Sequence, residues 1–196
     1  MNWIEHPVTL EGKRVKLVPL DSEHFPALVA VARNERIWEF VSAKCDTDDK
    51  TMNFLRSAVL KRGTGEQYPF TVFDKVTNKV IGHSMFHNIV QVHSKLEIGW
   101  TWYDPAYWRT GYNRECKLLL FSFAFEKLHA GRVQLQTDEK NLRSRTAIEG
   151  AGASFEGIIR HDRIKDDGTY RDTAMYSIIN TEWPDVKGRL VEDLAR

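Results

Sequence analysis

Three strand-like segments follow one another in the middle of the chain, and they limit the possible folds more than any other feature. They cover residues 68–73, 79–92 and 95–103, the first of them rich in aromatic and β-branched residues. The connections at Thr77-Asn78 and His93-Ser94 are short, so the segments predict an antiparallel meander. Asp104-Pro105 ends it, because a proline nitrogen cannot donate to a strand ladder.

Before and after the meander, the sequence shows both helical and strand-like patterns. The other predicted strands are 13–17, 133–137, 155–160 and 173–179. A first helix is predicted to begin at Asp21 or Ser22, and three more are predicted over 48–61, 115–128 and 141–148. Together these patterns predict an α+β (or three-layer α/β) fold. Its mixed, mostly antiparallel sheet has about seven strands and is covered by helices.

Charge and hydropathy exclude several classes of protein. The 196 residues include 28 Lys or Arg and 27 Asp or Glu, which leaves a formal charge of +1. Phosphate neutralisation needs a strongly basic face, so we predict no nucleic-acid partner. No apolar run approaches 18 residues, so we predict no membrane association.

The organisation of the chain predicts one domain over residues 1–196. No linker divides it, and the core is predicted over 10–180. The tail over 181–196 is predicted to be a packed amphipathic helix or a dimer contact, which leaves a monomer or a homodimer open. Two cysteines are too few for a disulfide scaffold, and no signal peptide is visible, so we expect a cytoplasmic protein.

The segment at 108–114 is the one most suggestive of chemistry. A glycine, Gly111, precedes a long predicted helix, and amides at a helix N-terminus can bind an anion. Arg109 and Arg114 could add charge-assisted contacts to a phosphate. Taken by itself, the glycine also fits an ordinary turn. Neither a P-loop nor a dinucleotide fingerprint occurs.

The same segment resembles the acyl-CoA pyrophosphate loop of the GNAT N-acetyltransferase superfamily, whose pattern is [QR]-x-x-G-x-[GA]. Gly111 matches the glycine, whereas Trp108 stands at the Gln/Arg position and Asn113 at the Gly/Ala position, so only the glycine is a strict match. The motifs around the loop are similar to those of the branch that acetylates the N-termini of ribosomal proteins. They are Leu10-x-Gly12-x-x-Val15-x-Leu17, Glu97-Ile98-Gly99-Trp100, Asp104-Pro105-Ala106-Tyr107-Trp108, Asn141-x-x-Ser144 and Arg171-Asp172. The resemblance covers roughly residues 10 to 180.

This resemblance implies a single GNAT-type domain, with helices on both faces of its sheet, that uses acetyl-CoA. The strands 95–103 and 133–137 would part to admit the pantetheine arm as a pseudo-strand. Backbone amides near Trp102 and Tyr103 would hold the arm and polarise the thioester. The implied cofactor-binding residues are Trp102, Tyr103, Trp108, Arg109, Thr110, Gly111, Tyr112, Asn113, Arg114 and Asn141, and Lys140, Arg143 and Arg145 could reach the 3′-phosphate.

Acyl transfer to an amine needs a group that removes a proton, and Glu97 is the predicted base. The alternative is that Glu97 only faces solvent beside Lys95. The resemblance implies a tyrosine after the fifth strand as the group that protonates the departing thiolate, but no tyrosine lies between Tyr112 and Tyr170. Ser144 is the nearest hydroxyl at a motif position of the family and is the predicted proton donor. Cys116 falls on an apolar helix face and is predicted to pack in the core.

The acceptor pocket is predicted to include His83, His87 and Trp38, with core packing as the alternative for each. The two histidines share one face of a strand but lie about 13 Å apart, so no metal is predicted.

The predicted function is therefore acetyl transfer from acetyl-CoA to a primary amine, by direct attack in a ternary complex. A protein N-terminus and a small molecule both remain open as the acceptor. The alternative is a non-catalytic acyl-CoA-binding or sensor domain. A nucleic-acid-binding role for the Arg-rich 132–145 region is a weaker rival.

Overall fold

The computed structural model describes residues 2–195, and its centre is one mixed sheet of eight strands. The strands are β1 (Leu10–Glu11), β2 (Val15–Pro19), β3 (Tyr68–Asp74), β4 (Lys79–Val90), β5 (Lys95–Tyr103), β6 (Arg132–Asp138), β7 (Ser154–Ile164) and β8 (Tyr170–Ile179). Their order in space is β1-β2-β3-β4-β5-β6-β8-β7. Only β5 and β6 pair in parallel; the other neighbours are antiparallel. The predicted α+β class and the meander β3-β4-β5 are confirmed.

The predicted count of about seven strands is one too low within residues 2–195. The additional strand is β1, which has two residues and pairs only with β2. So short a strand leaves no periodic pattern, which is why the sequence gives no signal for it. The final strands are also longer than predicted, since β7 extends to Ile164 and β8 begins at Tyr170.

Five helices cover the sheet: α1 (Phe25–Ala32), α2 (Asp48–Gly63), α3 (Tyr112–Ser122), α4 (Leu142–Gly150) and α5 (Trp183–Ala195). A π-helical turn, Phe123–Lys127, continues α3. Thr47 caps α2 through its hydroxyl, and two aspartates in the first turn complement the helix dipole. None of the helices described within residues 2–195 is long and apolar enough to cross a membrane.

The apolar residues form two cores, one on each face of the sheet. Adjacent strand residues point to opposite faces, so Met85 and Trp102 join α1 and α2, whereas Phe86 and Tyr103 join α3 and α5. Cys116 is completely buried in the second core, as predicted, and burial raises the pKa of its thiol to about 12. The 181–196 tail packs on the domain through α5, whose Trp183 stacks on Phe125.

The start of α3 is fixed to the turn between β1 and β2 by a buried carboxylate. Glu115, in the first turn of α3, accepts hydrogen bonds from the backbone N–H groups of Lys13 and Arg14. Gly12 leaves room for this contact, because a Cβ there would lie 2.3 Å from Glu115 Oε1. The segment just before α3 is therefore held rigidly against the sheet.

Candidate active site

The sheet opens between β5 and β6. These strands pair over only three residue pairs, of which Glu97 and Gln134 form the last. Beyond that pair β5 continues to Tyr103 and β6 to Asp138 without pairing to each other. A cleft of about 1110 Å³ lies between the diverging strands and is bounded by α3 and α4. The separation of strands implied for 95–103 and 133–137 is present.

A β-bulge in β5 reshapes the wall of this cleft. His83 pairs with Trp102 and Met85 with Gly99, so two β5 residues lie opposite the single residue between His83 and Met85. Trp100, in the bulge, has the left-handed φ of 48°. In an antiparallel ladder alternate backbone groups face away from the partner strand, so part of the β5 main chain points into the cleft.

The side chains of Trp102 and Tyr103 do not make this wall polar. Both are buried, in the cores on opposite faces of the sheet. The role that the resemblance implies for their amides stays a prediction.

His83 supports the bulge from behind and does not line the acceptor pocket, so its predicted place there is wrong. The ring is completely buried between Phe54 and Trp102. Its Nδ1 lies 2.9 Å from the carbonyl oxygen of Trp100. Desolvation lowers the pKa of His83 to about 4, so the ring is neutral and donates through Nδ1 to that carbonyl. The period-2 pattern placed it on the correct strand but could not say which face meets the helices.

The turn before α3 presents main-chain amides to the other end of the cleft. Arg109 and Gly111 both have left-handed φ angles, of 63° and 89°. Gly111 is the N-cap residue of α3, and within the described chain no side chain caps this end of the helix. The first amides of α3 therefore remain available to a ligand. Asn113, in the first turn, lines the cleft, and its buried Oδ1 has no hydrogen-bond partner among residues 2–195.

Three of the predicted loop residues hold the turn in place with their side chains. Trp108 donates from Nε1 to the carbonyl oxygen of Tyr103 at 3.1 Å. Thr110 donates to the carbonyl oxygen of Tyr107, and Tyr112 donates to Asp74 at 3.1 Å. The side chains of Thr110 and Tyr112 thus face away from the cleft, and any part they take in binding comes from their amides.

The mouth of the cleft carries several cations. Arg109 and Arg114 line it, and Arg114 also pairs with Asp193 at 3.2 Å. Arg143 stacks over the Trp108 ring at 4.0 Å, which connects α4 to the turn before α3. Arg145 is turned away, because it donates to the hydroxyl of Tyr176 at 2.9 Å.

Asn141 and Ser144 lie together at the start of α4. The Asn141 side chain caps the helix by accepting from the Ser144 N–H at 3.0 Å. Both residues line the cleft. Asn141 therefore caps α4, and its side-chain amide and the Ser144 hydroxyl both lie at the wall of the cleft.

Glu97 occupies the point where the two strands separate. It is 1% exposed, so the alternative that it faces bulk solvent beside Lys95 is wrong. Its Oε2 accepts from Asn88 at 2.9 Å and from Gln134 at 3.3 Å. His87 Nε2 lies 3.3 Å from its Oε1.

These contacts keep the Glu97 carboxylate ionised. Burial alone would raise its pKa, but the contacts with His87, Asn88 and Gln136 outweigh burial, and the net pKa lies below the ordinary value. Glu97 and His87 both line the cleft, as does Trp38, whose Nε1 donates to the carbonyl oxygen of Ala32. A buried carboxylate, ionised at neutral pH, therefore faces the cleft.

Two cations in the cleft were given no role in the site by the sequence-based prediction, although one of them belongs to the Arg171-Asp172 motif. Lys117, on α3, is 6% exposed and donates to the Thr101 hydroxyl at 3.2 Å. Burial lowers the pKa of Lys117 to about 8. Arg171, on β8, is 7% exposed and also lines the cleft. A signal existed for Lys117, since it lies one helical turn after Asn113 on a mostly apolar helix.

A family model matches most of the chain. The family model described as "Acetyltransferase (GNAT) domain" matches residues 14–154. The chain belongs to this family, whose general reaction is acetyl transfer, and the predicted family is confirmed.

Individual relatives agree with this assignment. YdaF of Bacillus subtilis, which carries a provisional name as a ribosomal N-acetyltransferase, is 32% identical over 102 residues, or 52% of this chain and 55% of that protein. The chain matches between about half and two thirds of the length of its curated relatives.

Solved structures extend the likeness to nearly the whole chain. A GCN5-related N-acetyltransferase from Brucella melitensis has a TM-score of 0.88 and 27% identity over 97% of this chain and 86% of that one. Mycobacterium smegmatis RimJ, in complex with CoA-disulfide, shares the fold with a TM-score of 0.82 and 18% identity over 96% and 97% of the two chains.

Proposed function

We propose that this chain is an acetyl-CoA-dependent N-acetyltransferase that acetylates a primary amine by direct attack in a ternary complex. The observation that carries the proposal is the buried, ionised Glu97 at the point where β5 and β6 separate. A domain that only bound acyl-CoA would have no need of a desolvated carboxylate at this position, since burying a charge is costly.

The residues present fit coenzyme A. The amides of the Arg109–Arg114 turn suit a diphosphate, and the orphaned Oδ1 of Asn113 would accept a hydrogen bond from a bound molecule. The β5 and β6 main chains suit the amides of a pantetheine arm. Acetyl-CoA would supply the activated acetyl thioester as the donor substrate.

Glu97 acts as the general base in this proposal. An alkyl ammonium must lose a proton before it can attack a carbonyl, and general-base assistance of this kind is worth about 10²–10⁴-fold. Asn88 and Gln134 hold the carboxylate by one oxygen, which leaves the oxygen beside His87 to accept the proton, directly or through a water.

The cleft offers two groups that could protonate the departing thiolate. One is the Ser144 hydroxyl, the donor expected from the sequence. The other is the Lys117 ammonium, next to the bulge at Thr101. With a pKa of about 8, Lys117 is mostly protonated at pH 7 and is a far stronger acid than a hydroxyl, so we assign it this role and give Ser144 a positioning role.

We also propose a cytoplasmic location, where thiols such as the free Cys45 and Cys116 stay reduced. The acceptor is a primary amine, and both a protein N-terminus and a small molecule fit this level of description.

The test is a thioester-release assay with a mixed panel of amines, run on the native chain and on Glu97→Gln. We expect turnover by the native chain and a loss of about 10²–10⁴-fold in kcat in the variant, with unchanged CoA affinity by calorimetry. Glu192→Gln makes the same chemical change on the exposed side of α5 and should keep full activity. CoA binding without turnover of any amine would instead favour a sensor domain.

A further inference from the structure

Arg171 is a buried cation that faces the acceptor side of the cleft. It is 7% exposed and lies on β8, opposite the segment at 37–43 that lines the same side. Its Nη1 donates to the Ser42 hydroxyl at 3.3 Å. Its Nε is buried and has no hydrogen-bond partner among the described residues. A guanidinium that is desolvated but only partly hydrogen-bonded is costly, and native structures seldom leave one so.

The nearby carboxylates of Asp138, Asp162 and Glu97 favour the charge of Arg171 from a distance, but none of them pairs with it directly. Asp138 pairs with Lys165 at 2.8 Å, and Asp162 accepts from the Thr173 hydroxyl at 2.7 Å. Asp166 accepts from the backbone N–H of Lys44 at 3.2 Å. Across residues 2–195, no carboxylate oxygen lies within 4.0 Å of the Arg171 guanidinium.

A second guanidinium increases the positive charge at this place. Arg163 is the cross-strand neighbour of Arg171 in the β7–β8 ladder, and it lines the same cleft, although it also pairs with Asp162 at 3.3 Å. Like charges in directly opposed positions destabilise a sheet. Burial and the Arg163 charge lower the Arg171 pKa, and they outweigh the carboxylates of Asp138, Asp162 and Glu97, which raise it. An anion bound in the cleft beside β8 would offset both the burial of the Arg171 charge and its repulsion by Arg163.

We propose that the acceptor is a small amine that also carries a carboxylate, and that Arg171 binds this carboxylate. The inference rests on the proposed function, because it describes the acceptor of the same reaction. Glu97 lies at the apex of the cleft and would receive the proton of the amine. Arg171 lies on the β8 side and would hold the opposite charge, so the cleft complements an amino-acid-like zwitterion.

The proposal disfavours two other kinds of acceptor. A polyamine would bring only positive charge towards Arg171 and Arg163. A long peptide would offer a neutral amide where the guanidinium needs an anion. A fork of donors on Arg matches the planar carboxylate, and charge-assisted hydrogen bonds of this type are worth about 1.5–3 kcal/mol, or roughly 10- to 150-fold in affinity.

The experiment compares matched acceptors on matched variants. The acceptors are glycine and the eighteen L-amino acids that have a primary α-amine, each as the free acid and as its α-carboxamide, together with spermidine and putrescine. Acetyl transfer is measured for the native chain, Arg171→Met, Arg171→Lys and Arg160→Met. Methionine approximates the volume of the buried side chain, and Arg160, exposed on β7, gives the same change outside the cleft.

We expect the best acid to exceed its carboxamide about 10- to 100-fold in kcat/KM, mainly through KM. Arg171→Met should reduce this ratio to about one, Arg171→Lys should keep part of it, and Arg160→Met should leave it unchanged. A purely structural Arg171 would lower the activity on both members of a pair alike, and that result would overturn the inference.

The inference is also overturned if spermidine, putrescine or a carboxamide is the best acceptor, or if no free acid is acetylated. Calorimetric titration with CoA separates these results from a failure of the proposed function, because CoA binding does not depend on the acceptor. Should CoA fail to bind, the proposed function falls as well.

Discussion

The two ends of the cleft are built from different parts of the chain. Beside α3 the wall combines main chain, from the Arg109–Arg114 turn and from β5 past its bulge, with the side chains of Asn113 and Lys117. On the acceptor side it is made of side chains, among them Trp38, His87 and Arg171. A main-chain wall depends on backbone conformation and tolerates varied side chains, whereas a side-chain wall changes with every substitution. One fold can therefore keep its donor and vary its acceptor.

The largest effect is expected at the main-chain end. Gly111→Asp should lower CoA affinity by at least about 100-fold, because it adds a negative charge at the amide turn that suits a diphosphate, and its Cβ would also lie 3.0 Å from Nη1 of Arg14. Gly111→Asn is the matched control, because the new side chain is similar in size but uncharged. It must adopt the same left-handed φ of 89°, and asparagine tolerates left-handed backbone conformations better than most residues. We expect it to lose no more than about tenfold. Equal losses in the two variants, measured by calorimetry, would show that backbone strain and not charge is responsible.

An intermediate effect is expected where the two ends meet. An alanine at position 99 would place its Cβ 2.2 Å from His87 Nε2, so Gly99→Ala must displace the ring that faces Glu97. We expect kcat to fall about tenfold with little change in CoA affinity, since the α3 turn is untouched. Gly188→Ala, in α5, meets nothing within 4 Å and should leave kcat unchanged. A loss of CoA affinity in Gly99→Ala would mean that the two ends are not separable.

The smallest effect concerns stability. The folded-state pKa of Lys117, about 8, lies below its ordinary value of 10.5, so the unfolded chain binds the proton more tightly and the free energy of unfolding rises between about pH 8 and pH 10.5. Lys117→Met removes the buried charge and should be more stable by roughly 1–3 kcal/mol at pH 7. That advantage should shrink as the pH rises through this range. Urea unfolding at several pH values measures it, and an advantage that does not depend on pH would contradict a desolvated ammonium.

The elements that form the α3 end of the cleft could be predicted from the sequence because their determinants are local. Gly111 before an apolar helix, Asn141 as an N-cap and the strand at 95–103 all leave short-range patterns. The bulge at Trp100 left none, because it arises from the pairing of β5 with β4.

The acceptor end depends on contacts between distant parts of the chain. His83 was assigned to the cleft because strand periodicity does not reveal which face the helices cover. Arg171 was seen only as part of a motif, since its partner Ser42 lies 129 positions away in sequence. Glu97 was predicted as the base from its strand alone, but its partners Asn88, Gln134 and His87 are known only from the structure.

The most direct test is a crystal structure of the chain with acetyl-CoA. The account predicts the diphosphate at the amides of 109–114 and the pantetheine arm between the β5 and β6 backbones, with the thioester carbonyl beside the bulge at Trp100. A structure in which those two strands close along their whole length, or in which the molecule binds elsewhere on the surface, would contradict it.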